Sequence, residues 1–402
     1  MRDSGEERPV WAWVDRDALR HNARRAIECA QGRSVIGVVK ADGYGHGAAD
    51  AARGLLAEGI SRLAVVSVGE GAELRRAGIV APVLLLGGLE DGVAAERALK
   101  WGLTPVLHDQ RGFELARSVG RGGSPLSVEV EIDTGMRRMG VPASEAVGLL
   151  ERITNTRQLV LSGLFTHLAC ADESDPQTSR DQIAEFAKIQ GSLPGHTNDG
   201  GRSKPETHVA NSAGLLRLAE LETRESGLVT SAVRPGLMLY GVSPFADRSA
   251  ESLDLDPVMT LAARVVAIRR VSKGDGVGYG ASWRASRNTL IATLPLGYAD
   301  GLPRSLAGRG EVFLAGAMRP IVGRVSMDYV TVEVADAPLE IGQVATVFGR
   351  TCDGIRVPVE DLARAAGTIG YEILVGVGQR VPRVVGAGLP PSMDLGPRAD
   401  AV

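Results

Sequence analysis

Short apolar runs alternate with amphipathic segments through the first 240 residues. The runs have the length of buried strands, about 4–8 residues, and they lie at 35–40, 63–67, 83–86, 103–108, 127–133, 159–167, 207–210 and 229–240. The segments between them, such as 48–58, 92–101 and 145–154, carry apolar residues at helical spacing. Eight strand–helix units predict an α/β fold with an N-terminal (β/α)8 TIM barrel. An open doubly wound sheet is the alternative, although no G-x-G-x-x-G follows any of these strands.

The pattern changes after about residue 244. Short β-branched runs at 258–271, 289–294, 312–314 and 345–348 are separated by Gly, Pro and Asp. This texture predicts a mainly-β C-terminal domain. The expected boundaries are therefore a barrel over 9–244, a β-rich domain over 245–388 and a disordered tail over 389–402. Residues 191–205 are expected to form a polar surface loop before the seventh strand.

Composition excludes several classes of function. The formal charge is −3 and no Lys/Arg cluster is present, so no basic surface for nucleic acid is expected. No run approaches the 18 or so apolar residues that a membrane span needs, and the charged first ten residues do not resemble a secretory signal. The three cysteines are scattered without metal-ligand spacing, which is typical of a reducing compartment. We expect a cytoplasmic enzyme that has a small-molecule substrate and no metal.

Candidate chemistry falls where the predicted barrel strands end. Lys40 ends the first strand and precedes a glycine-rich loop, and similar positions after later strands are taken by Arg138, His167, Ser212 and Arg234. Barrel active sites lie at the C-terminal ends of the strands, with phosphate often held after strands seven and eight. A lone strand-end lysine is more often a snorkelling surface group. Five such residues at one end of the barrel favour an active site in which Lys40 is a Schiff-base amine.

One string carries a family resemblance. Residues 38–47, Val-Val-Lys-Ala-Asp-Gly-Tyr-Gly-His-Gly, resemble the cofactor-lysine segment of alanine racemases, which use pyridoxal 5′-phosphate (PLP). Segments similar to others of that family lie at 131–140, 234–241, 277–282, 297–301, 323–328 and 367–373. The resemblance thus extends over nearly the full chain.

The resemblance implies a cofactor site in the barrel. Lys40 would bind PLP covalently, and the phosphate would be held by Tyr44, Ser212 and the backbone at Gly236 and Leu237. His167 would lie against the ring and hydrogen-bond Arg234. A guanidinium does not release its proton, so Arg234 would leave the pyridine nitrogen unprotonated and the cofactor a weaker electron sink. That electronic state suits racemisation.

The resemblance also implies a second catalytic base and a dimer. Tyr279 would act on the opposite face of the substrate from Lys40, and it would come from the partner subunit of a homodimer with shared active sites. Substrate would be bound by Arg138 and Met327, with Asp328 in support. Tyr371 would narrow the pocket beside the phosphate and Tyr298 would line the entrance. The implied reaction is interconversion of L- and D-alanine, which supplies D-alanine for peptidoglycan.

Departures from the family pattern concern the segment that contains Glu131. Many members carry there a lysine that is carbamylated by CO₂ and orients the arginine at the position of Arg138. Glu131 brings a permanent negative charge on a shorter arm, which leaves direct contact with Arg138 open. Arg137 stands where a glycine is common, and Ser326 replaces a frequent cysteine.

Other functions are compatible with parts of the sequence. A small pocket discriminates one methylene by only about 1–3 kcal/mol, so a racemase of another small amino acid such as serine is an alternative. PLP-dependent amino-acid decarboxylases share the expected architecture, and the segment around Cys352 superficially resembles theirs. They would carry an acidic partner for the ring nitrogen in place of Arg234. A non-catalytic PLP carrier would lack the second domain and the Tyr279 segment.

Overall fold

The structure is a computed structural model that describes residues 8–120, 125–192, 204–221 and 228–390. These residues divide into two compact units. The first unit is Arg20–Leu255, and the second comprises the described residues before Arg20 and after Leu255. The expected loop over 191–205 and tail over 389–402 lie largely outside the described residues.

The first unit is built on a closed barrel of eight parallel strands. In chain order they are Ser34–Val38, Arg62–Val65, Val83–Leu85, Leu103–Leu107, Leu126–Asp133, Leu159–Phe165, Glu206–His208 and Ala232–Val233; we number them one to eight. Strand four pairs with strand five, and strand eight pairs with both strand seven and strand one. The ring is therefore closed. This confirms the predicted barrel and excludes the open sheet.

One helix precedes strand one, and the others follow barrel strands as the amphipathic spacing predicts. They span Arg16–Cys29, Ala48–Ala57, Val68–Arg76, Gly92–Lys100, Gln110–Val119, Ala143–Thr154, Gln177–Gly191, Ser212–Leu216 and Leu218–Leu221. Several begin at a side-chain cap: Ser67, Asp91, Asp109 and Asn211 each accept a hydrogen bond from a backbone N–H of the first turn. A two-residue strand, Val141–Pro142, adds to strand five outside the ring.

Strand five shows how the sequence forms the barrel core. Val128, Val130 and Ile132 are buried and pack among helix residues such as Leu150. The alternating residues Glu129 and Glu131 are also buried, and their side chains reach other barrel strands. Two-residue alternation thus sends apolar groups to one face and carboxylates to the other.

Strand eight is much shorter than predicted. Instead of extending over 229–240, it covers Ala232–Val233, and the chain then turns into a 3₁₀ helix over Leu237–Tyr240. Pro235 ends the strand because proline has no N–H to donate to a neighbouring strand. The prediction of a continuous strand was wrong, but Arg234 still lies directly at the strand's C-terminal end.

The second unit is mainly β, as predicted. Its principal sheet has the spatial order Ala267–Val271, Thr289–Leu294, Val330–Ala335, Ala317–Val322, Glu311–Leu314, Val344–Arg350, Met259–Arg264, Val10–Asp15 and Arg383–Gly386, with Arg356–Val357 beside Val344–Arg350. A separate hairpin pairs Gly276–Val277 with Trp283–Arg284. Two helices complete the unit, Val359–Ala366 and Gly370–Gly376.

The N-terminal strand belongs to the second unit. Val10–Asp15 pairs antiparallel with Met259–Arg264 and parallel with Arg383–Gly386. The structural division of the chain is therefore discontinuous, whereas the sequence-based boundary assigned residues from 9 onward to the barrel. No helix within the described residues is long and apolar enough to cross a membrane.

Candidate active site

The lysine loop follows strand one and has an unusual backbone. Ala41, Asp42, Gly43 and Tyr44 all have φ between +52° and +63°, which makes one left-handed helical turn. This conformation costs a residue other than glycine roughly 1–2 kcal/mol. The Asp42 carboxylate offsets part of that cost by accepting the N–H of Ala48 at 2.7 Å. The turn places Lys40 at the rim of strand one and buries the Tyr44 ring.

Glu70 secures the same loop from outside. Its Oε1 accepts the Ala41 N–H at 2.8 Å, and its Oε2 accepts the N–H groups of Val66 and Ser67. Ser67 and Glu70 form a capping box at the start of the helix Val68–Arg76. Sequence analysis missed this residue, although the Ser-x-x-Glu spacing of a capping box was present to reveal it.

Lys40 has a lowered pKa. Burial is the largest cause, because it disfavours the charged ammonium, and the positive charges of Arg138 and Arg234 act in the same direction. Glu70 opposes the shift. A lysine with a lowered pKa has more neutral amine near neutral pH, which is the form that attacks an aldehyde.

A tight cradle lies where the lysine loop meets the chain after strand eight. A Cβ at Gly236 would lie 2.3 Å from the Tyr44 hydroxyl oxygen, so only glycine fits there. Ser212 Oγ accepts the N–H groups of Gly236 at 2.9 Å and of Met238 at 3.3 Å. The Tyr44 ring stacks on Tyr240 with centroids 4.8 Å apart. Two hydroxyls and backbone N–H groups are thus gathered, the donors that bind phosphate.

Arg234 is buried beside two histidines. Its Nη2 donates to His167 Nδ1 at 3.2 Å and to the Thr166 carbonyl at 3.3 Å, and its Nη1 donates to His208 Nδ1. The Nε–H donates to none of the described residues. Burial lowers the pKa of Arg234 to about 10, so it remains a cation at neutral pH.

The two histidines are neutral acceptors. Each presents Nδ1 to a guanidinium, so its ring proton must be on Nε2. Burial and the nearby positive charge of Arg234 lower the pKa of His167 to about 3. Burial is also the main cause that lowers the pKa of His208 to about 4, against the opposing carboxylate of Glu129. The predicted contact between His167 and Arg234 is present in the structure.

A buried chain of charges supports Arg234 from inside the barrel. His208 Nε2 lies 2.9 Å from Glu129 Oε2, and Glu129 is also paired with Arg62, which contacts Glu206 in turn. Burial raises the pKa of Glu129, but its contacts with His208 and Arg62 outweigh burial and the pKa is lowered to about 2. A Cβ at Gly163 on strand six would lie 2.6 Å from the Glu129 carboxyl carbon. Glycine there leaves room for the carboxylate.

Sequence analysis missed His208, Glu129 and Arg62. A signal existed for Glu129, because a carboxylate at alternate positions of an otherwise apolar barrel strand must find a partner inside the barrel. Only the fold brings strands two, five and seven together around it.

Glu131 does not pair with Arg138. Its Oε2 lies 3.1 Å from His108 Nε2, at the end of strand four, and no ion pair within 4.0 Å joins Glu131 to any described arginine. The short arm keeps Glu131 inside the barrel, whereas Arg138 is exposed on the loop after strand five. The charge of Glu131 nevertheless acts on Arg234, where it opposes the effect of burial on the pKa.

The second unit carries the remaining predicted site residues. Tyr279 is 71% exposed in a turn between Gly278 and Gly280, both of which have positive φ. Tyr298 and Met327 are brought side by side by two hydrogen bonds, from the Tyr298 N–H to the Ser326 carbonyl at 3.0 Å and from the Ala299 N–H to the Met327 carbonyl at 3.1 Å. Tyr371 lies in the helix Gly370–Gly376 and Asp328 follows Met327.

Comparisons with known proteins agree along nearly the whole chain. Residues 14–244 match the family model "Alanine racemase, N-terminal domain" and residues 258–385 match "Alanine racemase, C-terminal domain". Alanine racemases of Sorangium cellulosum and Carboxydothermus hydrogenoformans are 38% and 39% identical to this chain, each over 94% of it and over 98% and 99% of their own lengths. The crystal structure of alanine racemase from D-cycloserine-producing Streptomyces lavendulae is 32% identical, with a TM-score of 0.86 over 96% of this chain and 98% of that one.

Proposed function

Because the chain belongs to the alanine racemase family, we propose that it interconverts L-alanine and D-alanine with PLP bound at Lys40. The observation that carries this proposal is the buried cation Arg234, which is held by two neutral histidines, His167 and His208, and takes the place that an acidic partner of the ring nitrogen would have in a decarboxylase. We also propose that the protein is a cytoplasmic homodimer that supplies D-alanine for peptidoglycan.

The barrel residues fit PLP. The glycine cradle beside Tyr44 and Ser212 suits a phosphate, and Lys40 has the lowered pKa of a Schiff-base amine. Arg234 keeps its Nε–H available as a donor for the pyridine nitrogen. PLP, once bound to the amino acid, withdraws electrons from the Cα atom and so acidifies the Cα proton.

The chain's own residues then move that proton. Lys40 Nζ removes it from one face of the substrate, and the Tyr279 hydroxyl, supplied by the partner subunit, returns a proton to the other face. The reverse direction exchanges the two roles. Arg138 and the Met327 segment orient the substrate carboxylate, so that both enantiomers present the Cα–H bond to one of the two bases.

A direct assay tests this function. The purified protein with added PLP should form D-alanine from L-alanine and should act less well on L-serine. L-Lysine serves as the substrate of the decarboxylase alternative, and release of CO₂ from it without formation of D-alanine would contradict the proposal. If D-serine formed faster than D-alanine, serine would replace alanine as the proposed substrate, and the protein would still be a racemase.

Arg234 is expected to determine the reaction type. Arg234→Glu places an acid where the guanidinium was and should permit protonation of the ring nitrogen. We expect alanine turnover to fall about 10²–10³-fold, the usual effect of removing one preorganised charged donor, and a new long-wavelength absorption band to appear when alanine is added. Arg234→Gln is the control, since it removes the cation without supplying an acid. Equal rates and spectra in the wild type and Arg234→Glu would show that Arg234 does not contact the ring.

Glu131 is expected to replace the carbamate of its relatives with a fixed anion. Activity should therefore be unchanged by CO₂ depletion or added bicarbonate, because a carboxylate needs no CO₂. Glu131→Gln should raise the KM for alanine about 3–10-fold, an effect of the size expected when a buried charge is lost. This effect would arise from the contact of Glu131 with His108 and from its charge acting on Arg234, so His108→Asn should act similarly and the double variant should be less than additive. Unaltered kinetics of Glu131→Gln would contradict the role.

A further inference from the structure

The second unit contains a buried carboxylate with two arginine partners. Asp300 is fully buried, and its two oxygens lie 2.6 and 3.1 Å from the two Nη atoms of Arg8. Arg380 Nε lies 3.4 Å from Asp300 Oδ1, the oxygen that Arg8 Nη1 also contacts. Oδ2 also accepts the N–H of Gly297 at 2.9 Å. The forked geometry of the contact with Arg8 is the strong form of a charge-assisted hydrogen bond.

Arg8 joins two loops through the same guanidinium. Its Nη2 donates to the carbonyl of Pro295, at the start of one loop, and to the carbonyl of Asp328 at 3.0 Å in another. Arg380 makes a parallel connection, since its Nη2 donates to the Asp328 carboxylate at 2.7 Å. The loop over 295–301 carries Tyr298, and the loop over 326–329 carries Met327.

A third segment closes on Asp300. The Asp300 carbonyl accepts the N–H of Gly378 at 3.0 Å. A Cβ at Gly301 would lie 2.0 Å from the Gly376 carbonyl oxygen, so the two segments are in close backbone contact. Gly376 ends the helix that carries Tyr371. Asp300 therefore connects, directly or through its arginine partners, the three segments that carry Tyr298, Met327 and Tyr371, whereas Tyr279 lies in a separate turn.

We propose that Arg8 and Asp300 are positioning residues that hold the Met327 and Tyr298 loops in the geometry required for substrate binding. The inference rests on the proposed function and adds two residues to it. The arginine hydrogen bonds end on carbonyls of these loops and on the carboxylate between them, so their loss would first alter the loops. Asp300 is fully buried whereas the Arg8 side chain is 32% exposed, so removal of Arg8 leaves a buried carboxylate without its forked partner, which is the costly side of the pair to lose.

Steady-state kinetics and local hydrogen exchange together test the proposal. Arg8→Met should raise the KM for both L-alanine and D-alanine by about 5–20-fold and leave kcat within about 2-fold. A loosened loop weakens the binding of the substrate and of the transition state equally, and such a change appears in KM. The backbone amides of 295–301 and 326–329 should exchange faster in the same variant, with PLP present at saturation. Arg8→Lys keeps the positive charge but cannot reach two carbonyls and a carboxylate at once. Relative to Arg8→Met, it should therefore bring the melting temperature closer to the wild-type value than it brings the KM.

Arg319→Met is the matched control. Arg319 is a half-buried arginine of the same unit whose guanidinium donates only to the carbonyls of Leu314 and Ala315 in a hairpin. The KM of Arg319→Met, and the amide hydrogen exchange of the two loops in this variant, should stay at wild-type values.

The outcomes separate this inference from the proposed function. A folded Arg8→Met with a lowered melting temperature but unchanged KM and unchanged loop exchange would reduce Arg8 to a structural role and overturn the inference. If Arg8→Met fails to fold, the more exposed Arg380→Gln decides, with an expected KM increase of about 2–5-fold and a wild-type KM as the contrary result. A wild type that does not racemise alanine overturns the proposed function. In that case the hydrogen exchange of the two loops in Arg8→Met still tests whether Arg8 positions them.

Discussion

Replacing Lys40 with alanine should lower alanine racemisation by about 10³-fold or more, because one change removes both the covalent attachment of PLP and one of two bases. Lys40 lies at the rim of strand one behind the left-handed turn, and burial lowers its pKa from the ordinary value of 10.5. At any pH below 10.5, Lys40 therefore holds a larger fraction of neutral amine than an ordinary lysine does.

Borohydride reduction measures the attachment directly. Treatment of the wild type with PLP and borohydride should give a stable adduct on the peptide that contains Lys40, and Lys40→Ala should give none there. The pH midpoint of adduct formation should lie below 10.5, since the lowered pKa shifts deprotonation to lower pH. Lys100→Ala, a change to an exposed lysine on a barrel helix, is the control and should keep full activity. An adduct in Lys40→Ala at wild-type yield would refute the assignment.

The features that could be predicted are those in which local pattern and chemistry coincide. The strand that ends two residues before Lys40 is apolar, short and followed by glycines, so the place of Lys40 at a barrel rim follows from its neighbours in sequence. The same holds for His167 and Arg234, which lie at or just beyond strand ends and meet only because the barrel closes.

Features that depend on long-range pairing could not be predicted. Val10–Asp15 falls within the range expected for the barrel, yet it pairs with strands about 250 and 370 residues away in sequence, in the second unit. The length of strand eight was overestimated, because the apolar residues after Pro235 suit a buried 3₁₀ helix as well as a strand. An apolar run indicates burial and leaves the backbone conformation open.

Charged partners were the least predictable part of the site. The negative charge of Glu131 suggested Arg138 as its partner. The Glu131 carboxylate instead lies next to His108, at the end of strand four, because its side chain is short and points into the barrel. Arg8 looked like one more charge in a polar N-terminus, and its contact with Asp300 spans 292 positions. Such pairs follow from register and strand order, which alternation alone does not determine.

Replacing Tyr279 with phenylalanine should reduce racemisation by about 10²–10⁴-fold, the contribution of one positioned acid–base group. Tyr279 is exposed in its turn and flanked by glycines with positive φ, so removal of the hydroxyl leaves the fold and the barrel site unchanged. The absorption spectrum of bound PLP should therefore match that of the wild type.

Mixing two inactive variants tests where Tyr279 acts. If the tyrosine serves the partner's barrel, a hybrid of Lys40→Ala and Tyr279→Phe subunits has one site with both bases and one site with neither. Random exchange makes half of the dimers hybrid, so activity should recover to about one quarter of the wild-type value. If both bases came from one subunit, neither site of the hybrid would contain the pair and no activity would return. Absence of recovery in a mixture shown by mass to contain heterodimers would thus contradict the shared site, because mixing is the only treatment that can reunite the two bases without altering either one.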